Sequence, residues 1–232
     1  MEKTMFQEAQ EFLHNISDAL YEEWDKLCKE FKINKKKVPF IIDRNNHFMK
    51  EYYDLCKYNS PSSNFTQEFI KDFGAITSPN SVMCTLMHTI TKDGNVLQFV
   101  YFSVEKEIEY ALICHLNKEL AIDFLKMSLR HEMGHVLHNI SFWDASGHDM
   151  EKMITMINKV YDDRKAQVDS IEEEYKDVMY DDMYYKKYHN TPCESEANAF
   201  VGLTWEDHWK FHKLMEESPE EEIKKYKSNK EK

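Results

Sequence analysis

Apolar residues recur at different periods along this chain, and each change of period predicts a change of element. From about Gln7 to Phe31, the residues Phe12, Ile16, Leu20, Trp24, Leu27 and Phe31 are spaced three or four apart. That is the period of one helix face, so the segment predicts one amphipathic helix or two. Val38 to Ile42 is a short apolar run that predicts a strand, and His47 to Lys57 returns to a helical pattern. Asn59 to Asn64 gathers Ser, Asn and Pro and predicts a loop, followed by a weak helix from Phe65 to Ile76. At Val82 the spacing gives way to β-rich runs. VMCTLMHTIT, then Lys92-Asp93-Gly94-Asn95, then VLQFVYFSV predicts a β-hairpin closed by an Asp-Gly turn. Glu109 to Leu116, EYALICHL, predicts a third strand.

The next segment, Lys118 to Ile140, contains no Pro and one Gly. Its apolar residues Leu120, Phe124, Leu125, Met127, Leu129, Met133, Val136 and Leu137 cover most of the circumference, which predicts a buried helix. Asp149 to Val178 predicts a long charged helix. Its acids outnumber its bases nine to five, the composition of a solvated face. Tyr180 to Tyr188 predicts a loop rich in Tyr and Asp. Thr191-Pro192 starts a helix running to about Leu214, and Glu216 to Lys232 is a charge run that predicts a frayed tail. The expected class is α+β, mostly helical, with a small mixed or antiparallel sheet. The expected divisions are a helical region over 1–76, a main domain over 77–215 and the charged tail over 216–232.

Composition narrows the function classes. The 232 residues suffice for one substantial core, and 13% aromatic content with five Gly and five Pro favours a compact helix-rich chain. A net charge of −12 argues against a broad nucleic-acid surface, which needs clustered Lys and Arg. The run Lys35-Lys36-Lys37 reads as a solvated turn. Five scattered cysteines, Cys28, Cys56, Cys84, Cys114 and Cys193, form no Cys-x-x-Cys pair, which fits a reducing compartment. The start of the chain lacks an apolar signal core, and no run approaches the roughly 20 apolar residues that span a bilayer. The expectation is a cytoplasmic protein without a membrane partner.

The candidate chemistry sits in the buried helix, as His131-Glu132-Met133-Gly134-His135. Residues four apart share a helix face, so His131 and His135 can chelate one metal ion. Glu132 flanks that face and can act as base toward a water activated by the metal. Burying these three side chains without a metal would be costly. A catalytic zinc needs a third protein ligand, leaving the fourth position for water. Glu194, in Cys193-Glu194-Ser195-Glu196-Ala197-Asn198-Ala199-Phe200, is one candidate, with Asn198 placed to accept the second N–H of a ligand histidine. Thr191-x-x-Glu194 with Pro192 also reads as a capping box, a role that needs no metal. His148, in WDASGHD, is the alternative ligand, or else a surface histidine at a helix start. His138 lies two turns from His131 and would strain to reach the same ion. An oxyanion donor is also expected. Tyr180, Tyr184, Tyr185, Tyr188 or His189 could fill that role, although a Tyr-rich loop equally fits simple packing.

HEMGHVLH followed by ESEANAF resembles the glutamate-zincins, above all the ImmA/IrrE-like metallopeptidases, over roughly Ser81 to Phe200. The resemblance implies a zincin-like fold with a central HExxH helix. It implies one Zn2+ per chain on His131, His135 and Glu194, Glu132 as general base, and Asn198 supporting a ligand. It further implies a zinc-dependent endopeptidase acting on a protein or peptide substrate. The chain departs from that pattern in the acidic helix between the motifs and in Val201-Gly202-Leu203-Thr204-Trp205 after the second. A weaker resemblance to SprT-like proteases would make His148 the third ligand. A non-catalytic interaction protein on the same scaffold is the alternative from another class.

Overall fold

A computed structural model describes residues 5–43, 83–89, 96–103, 118–175 and 182–216. These form six helices and three strands. In chain order they are α1 (Met5–Glu30), β1 (Phe40–Asp43), β2 (Met83–Thr89), β3 (Val96–Ser103), α2 (Lys118–Ala145), α3 (Met150–Glu174), α4 (Asp182–His189), α5 (Pro192–Val201) and α6 (Trp205–Glu216). The described chain is therefore mostly helical. The expected helices over 47–57 and 65–76, the loop over 59–64, the turn at 92–95, the third strand over 109–116 and the tail beyond Glu216 lie outside the described residues.

The chain divides into two compact units, Met1–Leu129 and Arg130–Lys232. The first unit carries the sheet. Its sheet has the order β1-β3-β2, with β2 and β3 antiparallel from Met83 opposite Phe102 to Thr89 opposite Val96. β1 joins the other side of β3 in parallel, Phe40 opposite Val100 and Asp43 opposite Ser103. The N-terminal segment thus contributes a strand, and its backbone hydrogen bonds tie it to the hairpin. Helix α1 is a single helix whose buried stripe is Ile16, Leu20, Trp24, Leu27 and Cys28. Trp24 donates its indole N–H to the Val38 carbonyl at 3.2 Å, and its ring packs against Phe40. Each such buried side chain contributes roughly 1.5–3 kcal/mol.

In the second unit, two expectations are corrected. From Asp182 on, the Tyr-rich segment expected as a loop is helix α4. Tyr184 stacks on Tyr188 and Tyr185 on His189, pairs four apart that a helix brings together. Lys186, Lys187 and His189 in its last turn suit the negative end of the helix dipole. The helix expected from Thr191 to Leu214 is two helices. Gly202 adopts φ 70°, a left-handed conformation that favours glycine, and ends α5. Its N–H bonds to Ala199 and the Leu203 N–H to Asn198, satisfying the last carbonyls.

Candidate metal centre

Helices α2 and α5 approach with no side chain between them at one point. A Cβ added at Gly134 would collide with the Ala197 carbonyl oxygen and lie 2.7 Å from its carbon, both rigid backbone atoms. Arg130 strengthens the same contact by donating its Nε–H to the Val201 carbonyl at 2.9 Å. This approach sets Glu194 and Asn198 of α5 beside His131 and His135 of α2.

Three donor atoms converge there. His131 Nε2 lies 3.1 Å from His135 Nε2 and 3.1 Å from Glu194 Oε2, and His135 Nε2 lies 3.4 Å from the same oxygen. A tetrahedral zinc with bonds of about 2.0–2.1 Å needs donors about 3.3 Å apart, so this triangle fits the ion. Two nitrogens and one carboxylate oxygen are also the donor set that zinc prefers. Among the described residues, this is the one group in which three such donors gather.

The supporting contacts fix which atoms face the centre. Asn198 Oδ1 accepts the Nδ1–H of His131 at 2.8 Å, which leaves the Nε2 lone pair for a metal. The same oxygen accepts the Nε2–H of His208 at 2.9 Å. His208 also stacks on His189, with ring centroids 4.0 Å apart. Burial, with His189 and His131 adjacent, pushes the His208 pKa down to about 2, so its ring is neutral. On the other side, Glu194 Oε1 accepts two N–H groups of Arg164, from Nε at 3.0 Å and Nη2 at 2.8 Å. Arg164 Nη2 also donates to the Tyr188 hydroxyl at 3.0 Å.

Burial alone would raise the Glu194 pKa and lower that of His135. The neighbouring charges and hydrogen bonds together outweigh that burial. His135 and His131 hold the Glu194 carboxyl well below its usual range. Glu194, with Cys193 and Glu132 nearby, lifts His135 well above its own. A proton and a metal ion would therefore compete for the same atoms, so that any metal affinity would fall with falling pH.

The expected site residues can now be placed. His131, Glu132, Glu194 and Asn198 are buried, and His131, His135 and Glu194 come together. The capping-box alternative for Glu194 is not what forms. Thr191 makes no side-chain cap bond, donates its hydroxyl to the Tyr188 carbonyl at 2.7 Å, and leaves Glu194 to the histidines. The alternative ligand His148 lies elsewhere, exposed, 3.3 Å from Asp144 and stacked on Trp143. Its φ of 64° places it in the left-handed turn after α2, and that turn directs the ring back along α2. His138 pairs with Glu196 at 2.8 Å. Of the suggested oxyanion donors, the Tyr188 hydroxyl accepts from Arg164, the His189 ring stacks on His208, and Tyr180 lies outside the described residues. Sequence reasoning missed Arg164 and His208. The one available signal for Arg164 was its identity as the sole arginine among the lysines of an acidic helix, since arginine's fork suits a carboxylate. No spacing pointed to His208.

No protein-family model, curated protein or solved structure matches the chain. No described helix is long and apolar enough to cross a membrane.

Proposed function

We propose that this protein is a zinc-dependent endopeptidase of zincin-like fold, related in layout to the ImmA/IrrE-like metallopeptidases and acting on a protein or peptide in the cytoplasm. The observation that carries this reading is the triangle of His131 Nε2, His135 Nε2 and Glu194 Oε2, with edges of 3.1, 3.1 and 3.4 Å. The buried Glu132 lies next to it in the chain. A purely structural metal site has no use for that extra buried carboxylate, and this weighs against the reading as a non-catalytic interaction protein.

His131, His135 and Glu194 would hold one zinc per chain. Bound there, the ion supplies Lewis acidity, polarising the scissile carbonyl and acidifying a water toward neutrality. Glu132 takes the proton of the attacking water and passes it to the leaving amine, so its carboxylate is regenerated each turnover. Asn198 keeps His131 in the ligating tautomer. The decisive experiment measures zinc content and cleavage of a denatured-protein substrate for wild type and Glu132→Gln. Both should hold about one zinc, while cleavage falls by about 10²–10⁴-fold in the variant. Equal cleavage by the two proteins, or a wild type that takes up no zinc, would sink the reading.

A further inference from the structure

We propose that Arg164 is a positioning residue that closes one oxygen of Glu194, so that the carboxylate can bind a metal only through its other oxygen and one coordination position stays open. The inference rests on the zinc-peptidase reading and concerns how its third ligand is held.

Both N–H groups that Arg164 offers to Glu194 go to one atom. Nε at 3.0 Å and Nη2 at 2.8 Å point to Oε1, and neither is paired with Oε2. A carboxylate oxygen has two in-plane lone pairs, so two N–H donors fill Oε1. Oε2, by contrast, faces the two imidazole nitrogens at 3.1 and 3.4 Å. Exchanging the oxygens requires breaking both charge-assisted bonds around a side chain only 3% exposed. Arg164 is itself held from a separate helix, through the Tyr188 hydroxyl at 3.0 Å and the Tyr188 ring, 5.9 Å from the guanidinium carbon.

This arrangement matters for the chemistry. Glutamate can give a metal one oxygen or two, and with two it takes the place that a reacting water needs. A closed four-ligand set is the mark of a structural zinc, whereas three protein donors and an open place mark a catalytic one. Closing Oε1 keeps Glu194 a one-atom donor. A lysine would neutralise the carboxylate as well but lacks the planar pair of donors, so charge and geometry can be tested separately.

The test uses the full chain loaded with cobalt(II), whose visible absorption reports coordination number, together with zinc affinity measured by competition against a chelator. Wild type is compared with Arg164→Met, which keeps the stem and loses charge and fork, and Arg164→Lys, which keeps the charge alone. Wild type should give the intense band of a four-coordinate ion. Both variants should give a weaker band of higher coordination number, with zinc affinity reduced about 10–100-fold. If Arg164→Met fails to fold, Arg164→Lys decides the matter. Variants that match the wild-type spectrum, with zinc affinity within about twofold, would overturn the role of Arg164 and leave the metallopeptidase reading standing. A lysine variant fully like wild type would overturn it too, in favour of charge neutralisation. A wild type that binds neither metal would overturn both.

Discussion

Helices α2 and α5 bring histidine and glutamate together at two places. At one, Glu194 lies 3.1 Å from His131 and 3.4 Å from His135; at the other, Glu196 lies 2.8 Å from His138. The second contact is the shorter. Its surroundings are what differ. The Glu196 side chain is 59% exposed, so water can satisfy its carboxylate. The Glu194 side chain is 3% exposed, and two imidazoles and a guanidinium do what water does for Glu196. Burial also disfavours a charged His138 and lowers its pKa, against the pull of Glu196. A half-solvated pair of this kind contributes roughly 0–1 kcal/mol. A dry carboxylate is tolerated only when it is neutralised from several sides. A nearby histidine and glutamate therefore do not by themselves indicate a metal centre. A third converging donor and a dehydrated carboxylate are what set the candidate centre at Glu194 apart.

The sharpest way to break that comparison is to remove each glutamate in turn. Glu194→Ala should reduce bound zinc from about one per chain to a small fraction, because two ligands make a poor site. Glu196→Ala should keep the zinc and change stability by no more than about 1 kcal/mol in denaturant titration. Equal zinc loss in both would erase the distinction. Next in size is the contact that sets both pairs. Gly134→Ala forces a methyl into the Ala197 carbonyl and should cost about 1–3 kcal/mol, weakening zinc binding alongside. A neutral result would mean that the helices can part without penalty.

The pH dependence is a smaller effect with a definite sign. His208 is neutral in the folded protein, its pKa pushed down to about 2 by burial and by His189, while the unfolded chain accepts a proton near pH 6.5. The unfolded state therefore binds the proton first. The stability due to keeping His208 neutral is complete above pH 6.5 and is lost as the pH falls from there toward 2. The loss is up to about 1.4 kcal/mol per pH unit. Unfolding of wild type and His208→Gln between pH 7.5 and 4 should show the shallower slope in the variant, and parallel slopes would remove His208 from the account. Smallest of all, His148→Ala should leave zinc unchanged and stability within about 0.5 kcal/mol. Loss of zinc there would restore His148 as a ligand.

What could be read from the sequence follows the range of each interaction. His131 and His135 were legible because one helix turn sets their spacing. β2 and β3 were legible because a hairpin is local. The parallel pairing of β1 with β3 joins residues about sixty apart, and nothing in the alternation of either strand announces it. Glu194 stood between two local readings, a cap and a ligand, and only the commitment of Thr191 to the Tyr188 carbonyl separates them. Arg164 belongs to a helix whose composition describes its solvated face, so the one residue turned toward Glu194 is hidden in the average. The split of the last helix had a visible cause in Gly202, whereas the α4 segment looked like a loop because Asp also favours turns.

The contact between Gly134 and Ala197 has a consequence for the entropy of metal capture. Backbone meets backbone there, so the separation of the two helices does not depend on the rotamer of an intervening side chain. The freedom lost in bringing Glu194 to the histidines is surrendered when the chain folds, as part of the roughly 1–2 kcal/mol per residue that ordering the backbone costs. Little of it is left to surrender when an ion arrives. On the proposed reading, dehydration of the ion and loss of the competing proton limit metal uptake, and calorimetry of zinc binding should register proton release into the buffer with little penalty from ordering the chain.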